Sequence, residues 1–121
     1  QKKLKLGNLK AKRDWGHAKD YVEAMWLMLQ QNNSDDFVIG TGNEYSVEDF
    51  ANKAFSYVGL NYKDHVVVDK RLIRPTEVDT LLANFDKAKK ILKWKPKISF
   101  DDLVTNMVEH DLEYVNDFDL S

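Results

Sequence analysis

The run Phe37-Val38-Ile39, closed by Gly40-Thr41-Gly42, limits most strongly what this chain can become. Three unbroken apolar residues have the signature of a strand covered on both faces, unlike the alternation of a half-exposed one. Helix-period stretches lie on either side. Upstream, Ala18, Tyr21, Val22, Met25, Met28 and Leu29 recur at helical spacing, and Trp26 and Leu27 widen the stripe enough to predict cover on more than one side. Asp14 stands where a cap or turn former would sit ahead of that helix. Helix followed by buried strand implies an α/β class with parallel layering.

The other elements follow in order. Leu4 and Leu6 alternate with Lys3 and Lys5, a short strand ended by Gly7-Asn8. Ser46 and Asp49 have capping-box spacing, and Val47, Phe50, Ala51, Ala54, Phe55 and Val58 make a helical stripe stopped by Gly59. Val66-Val67-Val68 reads as the next strand. Ala88, Ile91 and Leu92 mark a short basic helix closed by Trp94 and Pro96. Ser99 and Asp102 repeat the capping box before a last helix carrying Phe100, Leu103, Val104, Met107, Val108, Leu112 and Val115; residues 116–121 are expected to fray.

Composition sets limits on chemistry. A chain of 121 residues, 43% hydrophobic, is one domain or part of a larger one. The net charge of -2 hides an asymmetry: Lys2, Lys3, Lys5, Lys10, Lys12 and Arg13 precede every acid, and no Lys or Arg follows Lys97. That balance gives no basic face for nucleic acid. The absence of cysteine excludes disulfides and thiolate chemistry and fits a reducing cytoplasm. No apolar run reaches the ~18 residues that would span a bilayer. His17, His65 and His110 are too scattered for a metal site.

Catalytic signatures are lacking. In Gly40-Thr41-Gly42 the third glycine of a dinucleotide fingerprint is replaced by Tyr45, so the run reads as a turn ending a strand. No serine occupies a Gly-x-Ser-x-Gly elbow, and none of the five tyrosines is followed four residues later by lysine. Binding chemistry is better represented. In Arg71-Leu72-Ile73-Arg74-Pro75-Thr76-Glu77-Val78-Asp79, Pro75 stiffens the backbone carrying the Arg74 guanidinium, a fork suited to phosphate, and Glu77 adds an acceptor on the same loop. The competing account is a plain surface pair between Arg74 and Glu77. Arg13, between a strand end and a helix start, is a second candidate anion ligand, and two arginines beyond strand ends could converge on one diphosphate. Trp15 could stack on a flat ring, although core packing is the commoner fate of such a residue.

Leu6-Gly7-Asn8-Leu9, the run Lys12-Arg13-Asp14-Trp15-Gly16-His17-Ala18-Lys19-Asp20-Tyr21 through Gln30, then Arg74-Pro75-Thr76-Glu77-Val78-Asp79, Lys87-Ala88-Lys89 and Leu92-Lys93-Trp94-Lys95-Pro96 resemble, in the same order, the C-terminal third of the GDP-mannose 4,6-dehydratase family. That family lies within the extended short-chain dehydrogenases/reductases. The resemblance implies the C-terminal substrate-binding part of such an enzyme, with the last helix and strand of its Rossmann domain. It assigns residues 1–42 to the end of the NADP-binding domain and 43–115 to the substrate domain. It further implies a lyase converting GDP-mannose to GDP-4-keto-6-deoxymannose, a homo-oligomer at full length.

NADP and the catalytic residues would lie upstream, leaving this stretch inactive alone. By the same resemblance Arg13 and Arg74 contact the GDP portion and Glu77 its ribose. Two positions depart from the family pattern: Lys10 replaces an acid, and Ala83-Asn84 a common Gly-Asp. The alternatives are another extended short-chain epimerase or dehydratase of nucleotide sugars, and a non-catalytic module that binds them.

Overall fold

The computed structural model describes residues 2–119 as a mixed α/β fold with two small sheets. Strand β1 (Leu4–Leu6) lies parallel to β4 (Val66–Val68), with Leu4 opposite Val66 and Leu6 opposite Val68. In the second sheet β2 (Lys12–Arg13) is central. It runs antiparallel to β3 (Tyr45–Ser46) and parallel to β5 (Thr80–Leu81). Both sheets therefore tie the segment before residue 14 to strands that come after residue 44. The pairs β2, β3 and β5 are two residues long, too short for any periodicity to betray them in sequence.

Helix α1 (Ala18–Leu29) begins where its apolar stripe does, and its cap is not Asp14. His17 takes that role: its Nδ1 accepts the Lys19 amide at 3.1 Å. Helix α2 (Val47–Tyr57) is built as expected, with the Ser46 hydroxyl accepting the Asp49 amide at 3.0 Å and the Asp49 carboxylate accepting the Ser46 amide at 2.9 Å. Gly59, at φ +76°, supplies the left-handed residue that ends it.

The short α3 (Asp86–Ile91) is followed by α4 (Phe100–Asp119), where the Ser99 hydroxyl accepts the Asp102 amide at 3.1 Å. Helix α4 continues through Asn116 to Asp119, where a frayed tail was expected. Residues 120 and 121 lie outside the described part.

The strand expected at Phe37–Ile39 is absent among the described residues. A strand exists only by hydrogen bonding to a neighbour, and no described segment pairs with these three. Phe37 and Ile39 instead pack on a core of Ala24, Ala88, Leu92 and Trp94, while Val38 points outward, 57% exposed.

The helix preceding them shows the same imbalance. Ala24 is fully buried, yet Val22, Met25, Trp26 and Leu29 are 59–82% exposed. The cover predicted for more than one side of α1 is present on one side only.

Asp20 ties α1 to the segment after α3. The Trp94 indole N–H donates to the Asp20 carbonyl at 2.9 Å, and the buried Asp20 carboxylate accepts the amides of Lys97 and Ile98 at 3.1 and 3.0 Å. A second aromatic group joins Trp15 to Phe50, and Phe50 and Tyr45 to Phe100, at ring separations of 4.0–6.0 Å.

Candidate functional site

Arg13 is the last residue of β2, fixed on both sides by ladder partners, Tyr45 of β3 and Leu81 of β5. Its guanidinium reaches two acceptors. Nη1 donates to the Lys12 carbonyl at 2.7 Å, and Nη2 stands 3.7 Å from Glu77 Oε1. Both side chains are about a quarter exposed, so the pair borders solvent without being fully hydrated. The plain pairing of Arg74 with Glu77 is thus replaced by one between residues 64 apart in sequence.

Glu77 is held by a turn. Its amide donates to the Arg74 carbonyl at 3.3 Å, closing Arg74-Pro75-Thr76-Glu77 with proline at the second position, where its fixed φ suits the turn. The turn leads into β5, so Glu77 arrives beside Arg13 because β5 pairs with β2; the Lys12 amide donates to the Asp79 carbonyl at 2.7 Å. Arg74 starts the same turn, exposed, and its side chain makes no ion pair or hydrogen bond among the described residues. Arg71 is otherwise engaged, bidentate to Asp69 at 2.8 and 3.1 Å. That contact holds the Asp69 carboxyl below the ordinary carboxylate range.

Asp14, expected as a helix cap, is the hub of the site. Its carboxylate accepts the Thr41 amide at 2.9 Å, the Thr41 hydroxyl at 2.6 Å, the Gly42 amide at 3.0 Å and the Ala83 amide at 3.3 Å. One side chain thereby ties the end of β2 to the 40–42 turn and to the segment after β5. Gly40 is required by the same closeness. A Cβ there would stand 2.2 Å from the Ala83 Cβ and 3.0 Å from Asp14 Oδ2.

The clue available in sequence was the acid directly after Arg13 and a Gly-Thr-Gly turn with amides needing an acceptor. Between these parts lies a hollow of about 310 Å³ lined by Arg13, Asp14, Leu81, Leu82 and Ala83. Arg13 and Asp14 bring opposite charges to it, and Leu81 and Leu82, more than half exposed, an apolar side; Arg74 and Glu77 are not among its lining residues.

Trp15 is held in place: its indole N–H donates to the Tyr45 carbonyl at 2.9 Å and its ring packs on Phe50. It is half-buried and also lines a separate hollow of about 270 Å³ with Tyr45, Pro96 and Phe100. The two departures are also accounted for: Lys10 stands 3.4 Å from Glu48, and Asn84 accepts the Asp86 amide at 3.1 Å, forming a turn at the start of α3. Burial, then the nearby Asp14 and Asp20 carboxylates, raises the Tyr21 phenol above its ordinary value.

Over residues 1–107 the chain matches the family described as GDP-mannose 4,6 dehydratase. The chain belongs to this family. The GDP-mannose 4,6 dehydratase 1 of Arabidopsis thaliana is 58% identical over 113 residues, covering 93% of this chain and 31% of that protein. The GDP-mannose 4,6 dehydratase of Homo sapiens is 50% identical over 125 residues, covering 89% of this chain and 34% of the relative.

Solved structures of similar fold include a UDP-glucose 4-epimerase with UDP-glucose from Thermotoga maritima. Its TM-score is 0.83 at 24% identity, covering 93% of this chain and 36% of that one. Another is RMD from Pseudomonas aeruginosa complexed with NADPH, with a TM-score of 0.79 at 16% identity, covering 89% and 35%. This dehydratase-family chain therefore carries the mixed α/β fold of the C-terminal part of extended short-chain enzymes, and spans about a third of the length of the curated relatives it matches.

Proposed function

We propose that the chain is the part of a GDP-mannose 4,6-dehydratase that holds the GDP-sugar, with Arg13 and Arg74 binding the diphosphate and Glu77 the ribose. The observation that carries this reading is the approach of Arg13, which lines a hollow, to Glu77 across 64 residues of sequence, 3.7 Å apart. A guanidinium and a carboxylate at that separation present complementary chemistry. One binds phosphate oxygens in its planar fork, and the other accepts hydroxyl protons. Arg74 begins the turn that Glu77 ends, and its side chain is free to swing onto the same anion.

The reaction in this reading is the conversion of GDP-mannose to GDP-4-keto-6-deoxymannose in a cytoplasmic homo-oligomer, the nicotinamide cofactor NADP supplying hydride transfer when bound. The residues of this chain do not fit that cofactor. The glycine turn at 40–42 directs two amides at the Asp14 carboxylate, where a diphosphate would need them. NADP and the acid-base residues therefore belong to residues outside the chain. What this chain does is orient: it fixes the diphosphate between arginines so that the sugar projects toward the chemistry. The domain division follows, with α1 and the 37–39 segment completing the cofactor domain and most of 43–115 forming the substrate domain.

The test is thermal unfolding of the full-length protein with GDP, UDP and dTDP, since a ligand that binds only the folded state raises its stability by mass action. GDP is expected to raise the melting temperature most. Stabilisation by UDP or dTDP and not by GDP would overturn the assignment in favour of another nucleotide-sugar enzyme.

A further inference from the structure

Thr76 is the third residue of the Arg74-Pro75-Thr76-Glu77 turn, inside the loop that supplies two of the proposed ligand contacts, and makes none of them itself. We propose that Thr76 is a phosphorylation site, and that its phosphate, once attached, occupies the arginines and shuts out the nucleoside diphosphate. The inference rests on the GDP-sugar reading and adds to it a means of regulation.

The turn is accessible. From Lys70 to Leu82 every residue except Glu77 is exposed, and the turn is closed by one long hydrogen bond, from the Glu77 amide to the Arg74 carbonyl at 3.3 Å. A bond of that length yields at little cost, so the segment can be drawn out into the groove of a modifying enzyme. The hydroxyl is also uncommitted, since the Thr76 side chain makes no hydrogen bond among the described residues. Ser46 and Ser99 precede acids too, but their hydroxyls cap helices, accepting the Asp49 and Asp102 amides. The Thr41 hydroxyl donates to Asp14.

Flanking charge indicates the class of enzyme. Glu77 and Asp79 stand one and three residues after the hydroxyl, which suits a protein kinase with a basic substrate groove. In the transfer the Thr76 oxygen attacks the terminal phosphorus of a nucleoside triphosphate. The bond to the bridging oxygen breaks, a nucleoside diphosphate leaves, and the hydroxyl proton passes to the kinase's base.

A phosphothreonine carries about −1.5 to −2 charges at pH 7 and three strong acceptor oxygens. Here it would be attached two residues from Arg74 and one from Glu77, whose carboxylate lies 3.7 Å from Arg13. The neighbouring Glu77 carboxylate opposes it, and two guanidinium groups outweigh that one acid. Tethered in this place, the phosphate competes for the arginines intramolecularly, at an effective concentration that a free ligand seldom reaches. It also repels any diphosphate that approaches.

The test treats the full-length protein with ATP and an acid-directed protein kinase, locates the phosphate by mass spectrometry and measures GDP binding by calorimetry. Thr76 is expected to be modified, and GDP bound beforehand to slow the modification. The GDP dissociation constant of the modified protein is expected to rise about tenfold or more. Thr76→Val is expected to bind GDP as wild type does and to keep that affinity after kinase treatment. Thr76→Glu adds a charge without a kinase and should weaken GDP by a smaller factor, its melting temperature showing that it folds.

A Thr76 that the kinase leaves unmodified, modification that GDP does not slow or that leaves GDP affinity unchanged, or a Thr76→Val protein that loses affinity on treatment as wild type does, overturns the inference. In each case GDP binding by untreated wild type leaves the GDP-sugar reading standing. If untreated wild type does not bind GDP, the reading itself fails and the inference falls with it.

Discussion

Asp14 accepts four donors from two segments distant in sequence, and among the described residues no other side chain joins β2, the 40–42 turn and residue 83 in this way. Asp14→Asn keeps the shape but replaces one oxygen by an amide group that faces backbone donors. The loss of charge-assisted bonds and the new donor-donor conflict are expected to cost about 2–3 kcal/mol, read as a lowered denaturant midpoint. GDP affinity should fall in the same variant, because the wall of the hollow opposite Arg13 loses its tether. The residue also shows where sequence reading reached its limit. An acid ahead of a helix suggests a cap, and nothing local says that its donors lie 27 and 69 residues away. Arg13, Arg74 and Glu77 could be singled out in sequence as anion forks and an acceptor; the Arg13–Glu77 pairing could not, since it depends on β5 lying beside β2.

At the scale of elements, helix ends give the sharpest expectations. Ser46→Ala removes one half of a complete capping box and is expected to cost about 1 kcal/mol by thermal unfolding. In the opposite direction, Lys93 follows α3 at φ 55°, a left-handed conformation that glycine adopts without steric cost. Lys93→Gly should therefore raise stability by roughly 0.5–1 kcal/mol in the same measurement.

The helices were readable because caps and 3.6-residue stripes are local. Strands β1 and β4 were readable from their apolar residues. The two-residue strands carry no period at all, and the Phe37–Ile39 run has strand composition without a strand partner among the described residues. The strand expected there does not form, because a strand needs a hydrogen-bonding neighbour and composition does not reveal one.

Over the whole molecule, the exposed face of α1 sets the largest-scale expectation. Val22, Met25, Trp26 and Leu29 form an apolar surface that a domain complete in itself seldom leaves open. The chain produced alone should self-associate, and Leu29→Glu should raise its monomer fraction in sedimentation; a monodisperse wild-type chain would argue for a free-standing module instead.

Acid should also unfold it through identifiable groups. Asp69 is held low by Arg71, Asp35 by Lys87 and Glu48 by Tyr62 and Lys10. A carboxyl whose folded pKa is depressed stabilises fully above its unfolded value, and that contribution is lost as pH falls through the folded one. For the two aspartates the loss is expected below their ordinary 3.8, and for Glu48 below 4.5. Arg71→Ala should move the Asp69 titration, followed by NMR, upward toward its ordinary value.

The central claim is that Arg13 and Arg74, far apart in sequence, grip one diphosphate. The most direct measurement is a double-mutant cycle on the GDP dissociation constant of the full-length protein, with Arg13→Ala, Arg74→Ala and the pair. The account predicts that each single change weakens binding about tenfold or more, and that the two are coupled by about 0.5–3 kcal/mol, as for residues that share a partner. Strictly additive effects, or an Arg74→Ala variant that binds GDP as wild type does, would contradict it.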